Sequence, residues 1–363
     1  MKDTILYLLL FSLLTLPLFS EKNLKESIRI ANEALDQMDS SHFYKAIELF
    51  NRALELEPNS LQYQYEKALA YFKLEKYDTA ITLLSPLRSY KDTKDHVWQL
   101  LGNSYDLTGK RDSAFIIYQE GLQKFPNSGR LYLEMGISYL SRKKGKEASG
   151  FWEKGVIAAP EYPLNYYYLT KHFAKTAETI WAIFYGEIFL NLNADPRKKD
   201  EISKLLYQTY INSIFTKEDT IYKVRFTQVS ITSNTIDSSG VPFQIAFQKL
   251  MEQVFAAQKD KADKTISIGE LTECRLNFII LWNKSIYSKR FPNLVLKRLT
   301  EVLKNKYFDE YNFYIFKEAS PGQFDLWSEK NMKKYGKFLL WLDKNPLRIN
   351  QSDVFHRFVY DNR

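Results

Sequence analysis

From Ile5 to Phe19 the chain is apolar except for Ser12, Thr15 and Pro17, and polar Glu21, Lys22 and Asn23 follow at once. A helix needs roughly 20 predominantly apolar residues to cross a bilayer, so the run is short for a span and reads as a secretory signal peptide cut after Ser20. The alternative is an uncleaved membrane anchor over residues 5–19. No cysteine follows the run, which disfavours a bacterial lipoprotein. No second apolar run of spanning length appears, so the mature protein is expected to be soluble and exported, periplasmic or extracellular.

Beyond residue 24 apolar positions recur at helical spacing, and they recur in blocks. Asp95 to Ser128 contains Trp98, Leu101, Gly102, Tyr105, Ala114, Tyr118 and Pro126, at positions 4, 7, 8, 11, 20, 24 and 32 of a 34-residue unit. One unit further lie Tyr132, Met135, Gly136, Tyr139, Ala148, Trp152 and Pro160. One unit back lie Ala68, Tyr71, Ala80 and Leu84, and two units back Ala34, Ala46, Phe50, Ala53 and Pro58. Small residues at positions 8 and 20 let two helices approach closely, bulky ones at 4, 7, 11 and 24 fill the space around them, and proline ends the second helix. The first unit has polar Glu33 and Gln37 at positions 7 and 11, as suits a terminal repeat. Pro86 predicts a kinked or shortened second helix in the second unit. A fifth unit from Pro163 keeps Tyr166, Leu169, Phe173 and Ala182 but has Thr170 at position 8, and reads as degenerate or capping.

The pattern after residue 196 is different. Ile202, Leu205, Leu206, Tyr210 and Ile214 predict a helix over Lys199 to Phe215, and the alternation of Tyr222, Val224 and Phe226 with Lys223, Arg225 and Thr227 predicts a short strand. Thr232 to Gly240 reads as a loop. Ser267 with Glu270, and Ser320 with Pro321 and Gln323, look like helix-capping boxes. Leu271, Cys274, Phe278, Ile279 and Trp282 form one helical stripe. Further helices are expected over about Pro292 to Asn305, Phe308 to Ala319 and Pro321 to Asn345, with Trp327, Phe338 and Trp341 in the core.

The 34-residue pattern resembles the tetratricopeptide repeat family, W-x2-L-G-x2-Y, then A-x3-F, then P, over about residues 24–194. The fold class expected is therefore all-α: a tetratricopeptide-repeat α-solenoid, then a mostly helical carboxy-terminal domain with at most a short β element. The expected domains are the signal peptide (1–20), the solenoid (21–196) and the carboxy-terminal domain (197–363). The resemblance implies that positions 2, 5, 9, 12 and 13 of each first helix line a concave groove that binds a protein or peptide. Those positions supply Tyr65, Leu69 and Phe72 from the second unit, His96, Gln99, Asn103 and Asp106 from the third, and Leu133, Ile137 and Leu140 from the fourth. The alternative is that the chain's own carboxy-terminal half covers this face. The family also contains chaperone-binding modules that grip a terminal carboxylate with lysine, asparagine and arginine. Only Asn103 of that set is kept in these units, so the clamp is rejected.

Composition narrows the function further. The 363 residues are 45% apolar and 15% aromatic, ample for a core, and 13 glycines with 11 prolines are too few for an all-β chain of tight turns. A single cysteine excludes an intramolecular disulfide. Net charge is +8, carried almost wholly from Lys199 to Arg363, where 26 Lys and Arg face 19 Asp and Glu. Lys284, Lys289, Arg290, Lys297, Arg298, Lys304 and Lys306, and then Lys330, Lys333, Lys334 and Lys337, are dense around two helices. They read either as solvated faces or as a peripheral docking surface for anionic lipid or polymer. Nucleic acid is not an expected partner of an exported chain. His42, His96, His172 and His356 show no metal-binding spacing, no phosphate loop or nucleophile elbow is present, and Cys274 reads as a buried thiol. No cofactor, metal or enzymatic activity is expected. The reading is a non-enzymatic scaffold.

Overall fold

The computed structural model describes residues 2–217, 221–229, 240–256, 266–350 and 353–361, with 2–20, 215–217, 221–223 and 361 described by backbone only. The side chains of the expected signal segment, and the loop expected over Thr232 to Gly240 apart from Gly240 itself, lie outside the described residues. Among the described residues no helix is long and apolar enough to cross a membrane. The chain divides into two compact units, Met1–Pro126 and Asn127–Arg363.

The first unit holds α1 (Lys2–Asp39), α2 (Phe43–Leu56), α3 (Leu61–Lys73), α4 (Tyr77–Leu84), a 3-10 turn (Ser85–Ser89), α5 (Asp95–Leu107) and α6 (Arg111–Lys124). Each first helix packs on the helix that follows it. Ile30, Ala34, Ala46, Phe50 and Ala53 form the α1/α2 core, small residues meeting large ones as the repeat predicts. Pro86 has the foreseen effect: α4 stops at Leu84 and the chain continues as the 3-10 turn.

The second unit opens with α7 (Gly129–Ser141), α8 (Gly145–Ala158), α9 (Pro163–Phe173) and α10 (Thr179–Asn191). It continues through α11 (Pro196–Ser213), β1 (Ile214–Lys217), β2 (Ile221–Val224), α12 (Phe243–Ala256), α13 (Ile268–Lys284) and α14 (Tyr287–Arg290). It ends with α15 (Leu294–Lys304), α16 (Phe308–Phe316), α17 (Pro321–Lys344) and α18 (Phe358–Asp361). The strands pair antiparallel, Ile214 opposite Val224 and Lys217 opposite Ile221. The helix expected to reach Phe215 therefore ends at Ser213, because its last residues are taken as the partner that β2 requires. Among the described residues the fold is helical with one short hairpin, as expected.

Two backbone features explain the repeat. Ser41, Glu75, Gly109 and Lys143 stand 34 residues apart, and all have φ between 59° and 79°. In each case the next amide, of His42, Lys76, Lys110 or Lys144, donates to the carbonyl of Gln37, Tyr71, Tyr105 or Tyr139 at 2.8–3.0 Å. This is the left-handed cap that satisfies the last carbonyls of a helix. Only one of the four residues is glycine, so the other three hold the conformation at a cost of about 1 kcal/mol each, which the flanking helix pairs must offset. The second feature is close approach: a Cβ on Gly102 would lie 2.2 Å from the Tyr118 ring, and one on Gly136 would lie 2.1 Å from the Trp152 ring. In the fifth pair the sizes are exchanged. Thr170 occupies position 8 and Gly186 occupies position 24, where a Cβ would lie 3.0 Å from the threonine methyl. That pair also lacks the left-handed turn.

The domain boundary expected near residue 196 lies inside the second unit. Every residue of α10 from Ile180 to Leu190 is buried, a pattern apolar all round that requires covering on all sides. One hydrophobic core runs from Leu133 through Trp152, Phe184, Phe243 and Trp282 to Tyr360. At Ser267 the foreseen capping box is complete: its hydroxyl accepts from the Glu270 amide, and the Glu270 carboxylate accepts from the Ser267 amide. At Ser320 the expectation fails. No side-chain cap forms there, and the Gln323 carbonyl oxygen instead accepts from the Ile268 amide at 2.8 Å, at the start of α13.

Candidate partner-binding faces

In the first unit the predicted groove residues lie on α3 and α5. Ser60 starts α3 by accepting from the Tyr63 amide, and Tyr65, Leu69 and Phe72 then fall half-buried on one face while Ala68 and Ala70 are fully buried. The Tyr65 ring meets His96 edge-on with centroids 4.2 Å apart, so the first helices of two consecutive units touch through groove positions. Phe72 packs edge-on against Tyr77 at 5.3 Å. Gln99 is half-buried. Asn103 is engaged internally, its carbonyl oxygen accepting from the Tyr118 hydroxyl at 2.5 Å, the same ring that covers Gly102.

In the second unit Leu133 corrects the prediction. It is 3% exposed and belongs to the core, and its carbonyl accepts from the Trp152 indole at 3.2 Å. A side chain so placed has no surface to offer a partner. Ile137 packs partly against the same core, and Leu140 is exposed.

One group was missed. Tyr167, Lys171 and Lys175 occupy positions 5, 9 and 13 of the fifth unit, and Lys171 and Lys175 with Glu201, Lys204, Leu205 and Gln208 of α11 surround a hollow of about 550 Å³. The Lys171 ammonium lies 2.6 Å from the Glu201 carboxylate, to which the Tyr167 hydroxyl also donates at 2.5 Å. Burial works against the Glu201 charge, yet the hydrogen bonds from Lys171 and Tyr167 hold its carboxyl below the usual Glu range. Lys175 and Lys204 are exposed, with no ion-pair partner among the described residues. The signal was present in the 34-residue register, but Thr170 at position 8 made the fifth unit look too degenerate to extend the groove.

The basic helices separate into used and unused charge. Arg298 is 4% exposed, donates to Glu301 and to the Asn345 carbonyl at 2.7 Å each, and lies over the Trp341 ring. It is part of the packing rather than of a basic surface, whereas Lys334 is exposed but held in a 2.8 Å pair with buried Glu310. Cys274 is fully buried on α13. Among the described residues no group of three or more His, Cys, Asp or Glu side chains could hold a metal ion.

A family model described as the N-terminal TPR repeats region of Psidin matches residues 32–149. Small glutamine-rich tetratricopeptide repeat-containing protein 2 of Mycosarcoma maydis is 25% identical over 109 residues, 30% of this chain and 31% of that protein. Human tetratricopeptide repeat protein 28 is 26% identical over 119 residues, 33% of this chain and 5% of that protein. The chain thus spans a third or less of these relatives' lengths. Among solved structures, a thermophilic TPR protein of Thermus thermophilus is 16% identical, with 50% of this chain and 98% of that chain covered and a TM-score of 0.43. MamA from Desulfovibrio magneticus RS-1 is 19% identical, with 38% and 76% covered and a TM-score of 0.33. The 34-residue register, the recurring left-handed turn and the family match over residues 32–149 together support tetratricopeptide repeats in this part of the chain, a repeat type that in general serves protein interaction.

Proposed function

We propose that this chain is an exported, non-enzymatic scaffold that holds a protein or peptide partner on the first-helix faces of its repeats, in the periplasm or an equivalent extracytoplasmic space. The observation that carries the reading is the division of labour within each first helix. Ala68, Leu101 and Met135 are buried, while Tyr65, Leu69, Phe72, Gln99 and Leu140 remain partly or largely accessible on the groove positions. Covering one such apolar side chain contributes about 1.5–3 kcal/mol, so three or four anchors support micromolar recognition after ordering costs. The test is capture from envelope extracts by the wild-type chain and by a Tyr65→Ala, Phe72→Ala, Leu140→Ala variant whose circular dichroism is unchanged. Recovery of the specific partner is expected to fall at least tenfold, and equal recovery refutes the reading.

A second reading, peripheral docking on an anionic lipid surface, is favoured by one observation on α17. Trp327, Phe338 and Trp341 turn inward, whereas Leu326 (67% exposed), Met332 (71%) and Leu340 (66%) lie outward beside exposed Lys330, Lys333 and Lys337. Lysine stems reach across apolar surface while their ammonium groups stay at headgroup level. Vesicles of phosphatidylglycerol are then expected to bind the chain and release it as salt rises, whereas groove binding persists in salt. Equal binding to neutral phosphatidylcholine vesicles would exclude the charge-led form of this reading.

A further inference from the structure

Between α1 and α3 of the first unit lies a hollow of about 100 Å³ whose walls include Ile28, Ala31, Leu35, Phe50 and Tyr63, with Glu66 at its rim. Glu66 is half-buried, and among the described residues its carboxylate has neither a hydrogen bond nor an ion pair. The other polar side chains lining the hollow, those of Asn32, Gln62 and Tyr63, are uncharged. Burial alone pushes its carboxyl above the usual Glu range. A raised value means the ionised form is disfavoured in the folded chain, so Glu66 lowers stability increasingly as pH climbs from the ordinary Glu range through the raised value. A glutamine would fill the same space without that penalty.

We propose that this hollow receives a cationic side chain, a lysine or arginine of a partner segment, with Glu66 as its counter-ion. The apolar walls suit the methylene stem of such a residue, and the volume admits an ammonium group with its last methylenes. Leu24 and Ile28, 43% and 45% exposed on the same side of α1, continue the apolar surface along which the rest of the segment lies. The inference rests on the reading that first-helix faces bind protein, and it adds the chemistry of one anchor.

The test uses the full chain in neutral detergent, with n-butylammonium as a lysine mimic and n-butanol as its uncharged counterpart, followed through the methyl resonances of Ile28 and Ala31. The ammonium is expected to bind at least about fivefold more tightly than the alcohol, as befits one partly shielded ion pair. Glu66→Gln is expected to abolish that preference without lowering the melting temperature. Equal affinity for the two probes in the wild type, or a preference that survives Glu66→Gln, overturns the proposal. So does a lowered melting temperature in the variant, which would make Glu66 a structural residue. The Tyr65→Ala, Phe72→Ala, Leu140→Ala variant is expected to keep the preference, so failure of the cation site and failure of the scaffold reading are separately visible.

Discussion

Replacing Arg275 with methionine is expected to destabilise the second unit by about 3–5 kcal/mol, the usual cost of stripping a buried carboxylate of its partner. Arg275 on α13 and Glu187 on α10 are 2% and 1% exposed and meet at 2.5 Å. The other guanidinium nitrogen donates to Asn312 of α16 at 2.6 Å, and the Tyr311 hydroxyl donates to Glu187 at 3.0 Å. The Asn191 amide completes the set by donating to Tyr311 at 2.8 Å. Tyr210 and Phe316 lie within 5.5 Å of the guanidinium carbon and shut out water. Desolvation opposes the Arg275 charge, but the Glu187 carboxylate with the Tyr210 and Tyr311 hydroxyls together more than compensate and hold the guanidinium protonated. Methionine keeps the stem and leaves Glu187 buried with only the tyrosine donor. Adding Glu187→Leu and Tyr311→Phe removes the stranded charge and its tyrosine partner and is expected to recover part of the loss, because a buried ion pair is worth little against well-packed apolar replacements. The recovery is partial because the buried Asn312 carbonyl oxygen remains without its Arg275 donor. Urea midpoints for the three proteins check this, and a single-variant loss below about 1 kcal/mol would show that the network adds nothing.

Arg357→Met is expected to produce the second large loss, about 3 kcal/mol or more, although it lies only a few residues from the end of the sequence. Its guanidinium reaches both oxygens of Glu153, which is fully buried on α8, at 3.1 Å each. The Tyr185 hydroxyl donates to the same carboxylate at 2.9 Å and accepts from the Arg357 amide at 3.0 Å. Phe355, two residues before it, is 1% exposed against Phe184, and Tyr360 donates to the Pro292 carbonyl at 2.7 Å. Arg357→Lys is expected to recover only part of the loss, since an ammonium cannot reproduce the two-pronged contact. A second readout is His172, whose pKa is held below the ordinary His range first by burial and then by the Arg357 charge. A depressed value contributes stability that is present above the ordinary His pKa and is lost as pH falls through the folded value. In Arg357→Met the His172 titration is expected to move upward, measured by NMR. An unmoved titration together with an unchanged denaturation midpoint would refute the role given to Arg357.

These two clusters explain why the groove was only partly legible. Leu133 satisfies every sequence criterion for a groove residue, yet it is buried because α7 joins a core that extends to Tyr360. Asn103, the single residue kept from the carboxylate-binding set, is committed to Tyr118. Tyr167, Lys171 and Lys175 were passed over for the opposite reason: the exchange of sizes between Thr170 and Gly186 preserves the packed volume while erasing the pattern that announces it. A repeat motif records which positions face each other, and it does not record which of the two contributes the bulk.

What could be read from the residues alone was local and periodic: the helix pairs, their 34-residue register, the shortened α4 after Pro86, the strand around Val224 and the cap at Ser267. Each depends on interactions within a few turns of chain, so each leaves a mark in the spacing of side chains. Only the tertiary structure decided that the last repeats share one core with the carboxy-terminal half, that Arg275 and Arg357 neutralise carboxylates 88 and 204 positions away in the chain, and that Glu66 has no ion-pair partner among the described residues. Pairings over such separations follow from how whole helices dock, and no local pattern carries that information.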